Sequence, residues 1–401
     1  MGEWNVCCID DLGTVNRGKS KHRPRNDSIL FGGLYPFIQT ADVKKAILYI
    51  TEYNETYSDI GLAQSKLWDK GTLCITIAAN IAESAILGID ACFPDSVVGF
   101  IPHKGKADLK FVKYLLDEFK VYMQQISKGT TQDNLSLEKL RRVKFNVPEY
   151  NTQVKIANIL STYDDLIENN NRRIALLEKA AQELCKEWFV RFRFPGYKNA
   201  KFENGLPEGW ERRKISAYYD TCSGGTPSRT HEEYFVAGIY PWVKTGEIKD
   251  CIIIDTEEYI TKEAVKKSSA KLLPAKSVAM AMYGVNIGQL GYFDKQMTCN
   301  QACCVFSDKR SFSSKHYLFQ YLKSIREYLL LISFGAAQQN LSQELIKKIK
   351  IVMPSDDVVR AFEEKVDAIY DSIKTLMYKN QNLAKQRDLL LPRLMSGKLE
   401  V

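Results

Sequence analysis

The chain contains no C-x-x-C pair and no H-x-x-x-H. Its ten cysteines include the adjacent pairs Cys7–Cys8 and Cys303–Cys304, and its four histidines are scattered. That spacing excludes a zinc ribbon or finger, so no metal site is expected. The thiols read as free groups in a reducing, cytoplasmic compartment. No apolar run reaches the ~18 residues of a membrane span. The opening MGEWNVCCIDD lacks the basic and apolar segments of a secretion signal. G-x-S-x-G is missing, and so is any Pro-Pro dipeptide, which removes the Asn/Asp-Pro-Pro-aromatic signature of amino-methyltransferases. No catalytic constellation is visible, and no cofactor is expected on this chain.

What is present is an ordinary globular composition with a basic excess. The 401 residues are enough for two or three domains. The apolar fraction is 45%, and the formal net charge is +8 with a pI near 8.8. That balance favours an anionic partner such as nucleic acid without demanding one.

The sequence repeats itself. Residues 35–43 read YPFIQTADV and residues 240–248 read YPWVKTGEI; residues 127–136 read SKGTTQDNLS and 333–342 read SFGAAQQNLS. Each second block precedes a proline (Pro148, Pro354) and then a long helical pattern. A period of half the chain implies two copies of one module, each trailed by a helix. Short β-like runs at 71–79, 86–92 and 96–101 and a helix over 109–127 are predicted in the first copy. Strands at 277–282 and 303–306 and a helix over 315–333 are their counterparts. The expected fold class is α+β, with segments 1–150 (module), 151–194 (helix), 195–355 (module) and 356–401 (helix). Residues 194–210 (FPGYKNAKFENGLPEGW) read as a linker.

Both helical patterns carry a heptad seam. The first holds Leu160, Tyr163, Ile167, Asn170, Ile174, Leu177, Ala181, Leu184 and Trp188. The second holds Phe362, Val366, Ile369, Ile373, Leu376, Asn380, Leu383, Arg387 and Leu390. The first steps three-then-four and the second four-then-three, the phase an antiparallel pair needs. The register that sets Leu160 against Leu390 and Trp188 against Phe362 also sets Asn170 against Asn380. A parallel pairing would strand each amide, at roughly 1–3 kcal/mol per buried group. An intramolecular antiparallel coiled coil is therefore predicted. A helix of about 40 residues spans roughly 60 Å.

The densest basic stretch is residues 17–25 (RGKSKHRPR): Arg17, Lys19, Ser20, Lys21, His22, Arg23 and Arg25. Arginine offers a donor fork for guanine edges or phosphate, and lysine a mobile point charge. The equivalent stretch, residues 223–229 (SGGTPSR), supplies Gly225, Thr226, Ser228 and Arg229. Gln39, Thr40, Asn80, Lys244, Thr245, Tyr283 and Asn286 fall at turns after strand-like runs and are candidate DNA contacts. Amides in the blocks 132–134 and 338–340 either read adenine edges or cap a turn. Two patterns are decoys. Residues 13–20 (GTVNRGKS) satisfy G-x-x-x-x-G-K-S, but KHRPRND follows, and no helix starts there to hold phosphate. Pro94–Asp95 with residues 108–110 (DLK) mimics a nuclease carboxylate set, but the second copy has Asn300–Gln301.

The order module, long helix, module, long helix resembles the specificity subunits of type I restriction-modification systems. LPEGW at 206–210, the repeated blocks and LLPRLMSG at 390–397 carry the resemblance; the first module lacks the LPEGW entrance. The resemblance implies two target recognition domains, each reading half of a bipartite, asymmetric double-stranded DNA sequence, with no catalysis of their own. It implies helices that set the spacer and dock two copies of a DNA methylation subunit using S-adenosylmethionine. ATP-dependent restriction/translocase subunits are further partners. On this expectation the basic loop serves the first half-site, and Thr226, Ser228, Arg229 and Lys244 serve the second. The competing classes are an ATPase built on Lys19 and a coiled-coil scaffold.

Overall fold

The computed structural model describes residues 4–128, 134–333 and 340–401. The chain divides into two compact units: residues 1–170 with 379–401, and residues 171–378. This partition differs from the four sequence segments, because each unit takes one module and part of both long helices.

In unit 1 the main sheet runs Gly13–Arg17, Val97–Pro102, Leu73–Thr76, Ser84–Leu87, Tyr49–Ile50. All neighbours are antiparallel except the last pair, which is parallel. Its central strands are buried on both faces, which explains their near-continuous apolar runs. Leu73, Ile75, Ile86 and Phe100 face Phe111 and Leu115 of the helix Leu109–Glu118 and Leu160 of the first long helix. Cys74, Ala85, Leu87 and Val97 face Trp68 and Phe93. A second sheet runs Glu55–Tyr57, Phe31–Phe37, Ala91–Cys92, Leu67–Trp68.

Unit 2 has the same main sheet in the same order: Tyr219–Ser223, Cys303–Asp308, Val278–Ala281, Leu290–Phe293, Cys251–Ile253, again with a parallel last pair. Its smaller sheet runs Tyr259–Ile260, Tyr240–Val243, Thr298–Cys299. The sequence repeat is thus a repeat of topology. In each unit a further strand pair, Asn5–Cys7 with Phe145–Val147 or Glu211–Lys214 with Lys350–Met353, brings the module's two ends together.

The long helices are Tyr150–Cys185, ending in a π-helical turn Lys186–Val190, and Asp356–Met395. Within unit 1 they run antiparallel. Leu160 and Leu390 share one apolar cluster, and Asn170 Nδ2 donates to Asn380 Oδ1 at 2.8 Å, the pair set by the predicted register. Within unit 2, Trp188 meets Phe362 at 5.7 Å between ring centroids. Every seam residue named above is buried or half-buried. The Arg387 position is polar for a local reason: its guanidinium pairs with Asp164, a carboxylate with no solvent exposure that also accepts the Tyr114 hydroxyl.

One expectation, made for both modules, needs correction. The helices predicted over 109–127 and 315–333 are each two: Leu109–Glu118 with Lys120–Ser127, and Lys315–Ser324 with Arg326–Ser333. The breaks fall at Phe119 and Ile325. Phe119, half-buried at its break, packs edge-on against Phe145 at 5.0 Å. The 194–210 linker is anchored at both ends. Phe194 and Trp210 at its ends are buried with rings 5.2 Å apart, beside Phe189 and Phe192. Aromatic burial fixes both ends of this Gly-, Pro- and Asn-rich stretch.

Candidate nucleic-acid interface

The basic loop leaves the edge strand Gly13–Arg17 and is tied down by its backbone. Gly18 N–H donates to Val97 O at 2.9 Å, and Lys19 N–H to Phe93 O at 3.2 Å. A Cβ on Gly18 would lie 2.3 Å from Pro94 O, so only glycine fits there. Gln64 Oε1 accepts from the N–H groups of Lys21 (2.6 Å) and His22 (3.1 Å), and Ser65 Oγ donates to Lys19 O (2.8 Å). The main chain is fixed while the side chains of Arg17, Lys19 and Lys21 stay exposed. Among the described residues these three cations have no ion pair, as suits groups awaiting an anion.

The other members of the loop are occupied. Arg23 Nη1 donates to the carbonyls of Ser20 (2.7 Å) and His22 (2.8 Å), so this arginine shapes the loop. The expected contact of Arg23 with the first half-site would fall to its remaining guanidinium donors, Nε and Nη2. His22 pairs with Asp27 at 3.0 Å, which holds the Asp27 carboxyl below its usual range. Arg25 pairs with Asp95 at 2.8 Å. Asp108 caps the helix Leu109–Glu118 by accepting from Phe111 N–H. Both members of the apparent nuclease carboxylate set therefore have structural partners. The G-x-x-x-x-G-K-S stretch begins inside a strand, and the next helical turn is a short 3-10 piece at Ser28–Leu30. Nothing there has the strand-loop-helix form of a phosphate cradle.

Ser20, Arg25, Gln39 and Thr40 line one open cavity of about 720 Å³, together with Glu55 and Tyr57. Gln39 precedes the short helix Thr40–Lys45, and its amide donates to Glu55 Oε2 at 2.7 Å. Asn80 lies apart from this cavity, where its Oδ1 receives Lys44 Nζ at 3.4 Å.

In unit 2 the corresponding loop makes the same kind of approach. Gly225 N–H donates to Cys299 O at 2.8 Å, and a Cβ on Gly225 would sit 2.2 Å from Ser269 O. Trp242 Nε1 donates to Gly225 O at 3.0 Å. The side chains differ from those of unit 1. Thr226 is hydrogen-bonded to Gln301, and Ser228 to Thr230 at 2.8 Å. Arg229 lies over Phe235 and Trp242, 4.3 and 5.3 Å from their ring centroids, and pairs with Glu258 at 2.6 Å. Lys244 joins the same carboxylate at 3.0 Å and Glu257 at 2.8 Å. The Arg229 hydrogen bond, then Lys244, holds the Glu258 carboxyl below its usual range. Asn286 Nδ2 donates to Thr245 O at 2.9 Å, which brings the Tyr283–Asn286 turn to the Lys244–Thr245 turn. Tyr283 is 40% exposed and bridges to Asn340.

Sequence reasoning missed Gln64 and Ser65, which pin the loop, and the acidic partners Glu55, Asp95 and Glu258. An acid inside a basic surface has no motif; its role emerges only when the sheet pairs Trp242 with Glu258 and Phe37 with Glu55. The block 132–134 has only Asn134 within the described residues, and 338–340 only Asn340. All ten cysteines are free thiols. No helix among the described residues is long and apolar enough to cross a membrane.

Comparison with known proteins agrees with this layout. The family described as the type I restriction modification DNA specificity domain matches twice, over residues 1–179 and 207–385. The specificity subunit of the type I restriction enzyme MjaIX of Methanocaldococcus jannaschii is 27% identical over 100% of this chain and 94% of its own. The specificity subunit of the HindI enzyme of Haemophilus influenzae is 24% identical over 72% of this chain and 76% of its own. The crystal structure of a type I system S subunit from M. genitalium superposes with a TM-score of 0.60 at 17% identity, covering 98% of this chain and 96% of that one, and so shares the fold. With two copies of the family domain spanning most of its length, the chain belongs to the specificity subunits of type I restriction-modification systems, the non-catalytic subunits that recognise DNA sequence.

Proposed function

We propose that this chain reads a bipartite, asymmetric double-stranded DNA target, one half with each module. It would direct two copies of an S-adenosylmethionine-dependent methylation subunit, and ATP-dependent restriction subunits where present, to that target in the cytoplasm. The observation that carries the reading is a pair of modules with one topology and different side chains at equivalent surface positions: Gln39 with Glu55 in one, and Lys244 with Glu258 and Arg229 in the other. A homodimer would place one surface on both halves of a palindrome; two unlike modules on one chain suit two unlike half-sites. Major-groove readers on one face of a duplex lie about 34 Å apart per helical turn, and the long helices are the natural ruler for the spacer. Free Arg17, Lys19 and Lys21 supply the sequence-independent, salt-sensitive part of binding.

Single-molecule methylation mapping of a host genome tests this, with and without this gene and with the neighbouring methylation gene active. The expected result is a bipartite methylated motif present only with this gene. Methylation independent of the gene, or confined to a single contiguous motif, refutes the proposal.

A further inference from the structure

We infer that Glu55 is a base-reading residue of the first module, accepting a hydrogen bond from the exocyclic amino group of a cytosine or adenine. We infer too that the equivalent Glu258 has the opposite duty: it holds Arg229 and Lys244 as donors toward a base with acceptors, guanine above all. This inference rests on the DNA-reading proposal above and adds the chemistry of one position in each half.

The equivalence comes from sheet register. Phe37 faces Glu55 across an antiparallel strand pair, and in unit 2 Trp242 N–H donates to Glu258 O at 2.9 Å across the corresponding pair. Gln39 and Lys244 each stand two residues beyond that aromatic and open a short helical turn. Each then reaches back to the carboxylate, Gln39 at 2.7 Å and Lys244 at 3.0 Å. The frame is the same, and the electrostatics are inverted.

Among the described residues of unit 1 no cation joins the pair. Arg25 lines the same cavity, but Asp95 holds it at 2.8 Å. Glu55 is exposed, and among the described residues only the neutral Gln39 amide bonds its carboxylate. The side chain therefore presents unused acceptor lone pairs. A carboxylate repels phosphate, so backbone attraction gives it no place in a DNA-facing cavity. In the major groove the donors it can accept from are cytosine N4 and adenine N6. In unit 2 Glu258 is shared by two cations, and Arg229 lies over Phe235 and Trp242, 4.3 and 5.3 Å from their ring centroids. A guanidinium fixed by a carboxylate behind it and aromatic faces beside it is preorganised for the N7 and O6 acceptors of guanine.

The experiment is methylation mapping of the whole complex carrying Glu55→Ala, Glu55→Gln or Arg229→Ala, beside wild type. Glu55→Ala should relax one position of one half-site, from A or C to any base, with discrimination there falling roughly 10- to 100-fold. The other half-site should stay unchanged. Glu55→Gln should retain a base with an exocyclic amino group, because the amide oxygen still accepts, and should favour adenine, whose N7 takes the amide N–H. Arg229→Ala should relax a guanine in the other half only. Of the two Glu55 variants, an unchanged motif in Glu55→Ala overturns the inference while leaving the DNA-reading proposal intact. So does a uniform loss of methylation at all sites in both of them. If wild type itself yields no gene-dependent bipartite motif, the underlying proposal has failed.

Discussion

Replacing Asp164 with alanine should loosen the first module more than any change at a solvated position of the same helix. The carboxylate has no exposure and accepts from the Tyr114 hydroxyl of the helix Leu109–Glu118 and from Arg387 of the second long helix. Burial, and then the Asp164 charge, push the Tyr114 hydroxyl well above its ordinary range. Burial works against the Arg387 charge, and Asp164 more than offsets it, so that guanidinium also titrates above its usual range. Removal leaves a buried hydroxyl without its acceptor and a guanidinium 21% exposed without its main counter-ion. Breaking a buried pair costs ~3–5 kcal/mol. Asp388, 61% exposed, still holds the other guanidinium nitrogen at 2.8 Å, which points to the low end, about 3 kcal/mol. Hydrogen exchange of the Leu109–Glu118 amides reads this directly and should speed up on the order of 100-fold. The Lys315–Ser324 amides of unit 2 should not change. The triple variant Tyr114→Phe, Asp164→Leu, Arg387→Met removes every orphan at once and should recover most of the protection. If Asp164→Ala leaves exchange within about threefold of wild type, or the triple variant is as loose as the single, the buried-charge reasoning is wrong.

Asn170→Leu removes the donor to Asn380 Oδ1 and should cost about 1 kcal/mol in urea unfolding, and a double-mutant cycle with Asn380→Leu should show a coupling of that size. Cysteines at 167 and 383 should cross-link without a reductant, and cysteines at 167 and 373 should not, as a gel-shift assay would show. Asp367 titrates below its usual range: burial alone would raise it, but the Lys315 ammonium at 2.6 Å prevails. Its contribution is therefore complete above the ordinary carboxylate pKa and fades as pH falls through the lowered value, so Lys315→Met should flatten the acid limb of a unit 2 denaturation curve below about pH 4. Lys19→Ala and Lys21→Ala should each weaken binding to all DNA alike and reduce the slope of log affinity against log salt by about 0.9, read by fluorescence anisotropy.

Those features differ in how far they could be read before the fold. The seam was legible because heptad spacing and its phase are local, and two asparagines one register apart admit one antiparallel solution. The module boundaries followed from the repeated blocks. The split of each predicted helix at Phe119 and Ile325 was hidden, since neither break has a glycine or proline; in unit 1 Phe119 packs on Phe145 at the break. The anchoring of Phe194 and Trp210 was hidden behind the turn-rich composition between them. Basic residues in the loop were easy to single out, but their division into free (Arg17, Lys19, Lys21) and occupied (Arg23, Arg25) depends on carbonyls and carboxylates brought in by other strands. Glu55 and Glu258 were invisible for the same reason: sheet register assigns each its partner.

Unit 2 is one uninterrupted stretch, 171–378, whereas unit 1 joins residues up to 170 with residues 379–401. A ribosome therefore finishes the second unit before it delivers the piece that closes the first. Until then the cluster around Phe111 and Leu160 lacks Leu394 and Met395, and Asp164 lacks Arg387. A nonsense codon at position 379 would release a chain with its second module whole and its first unsealed.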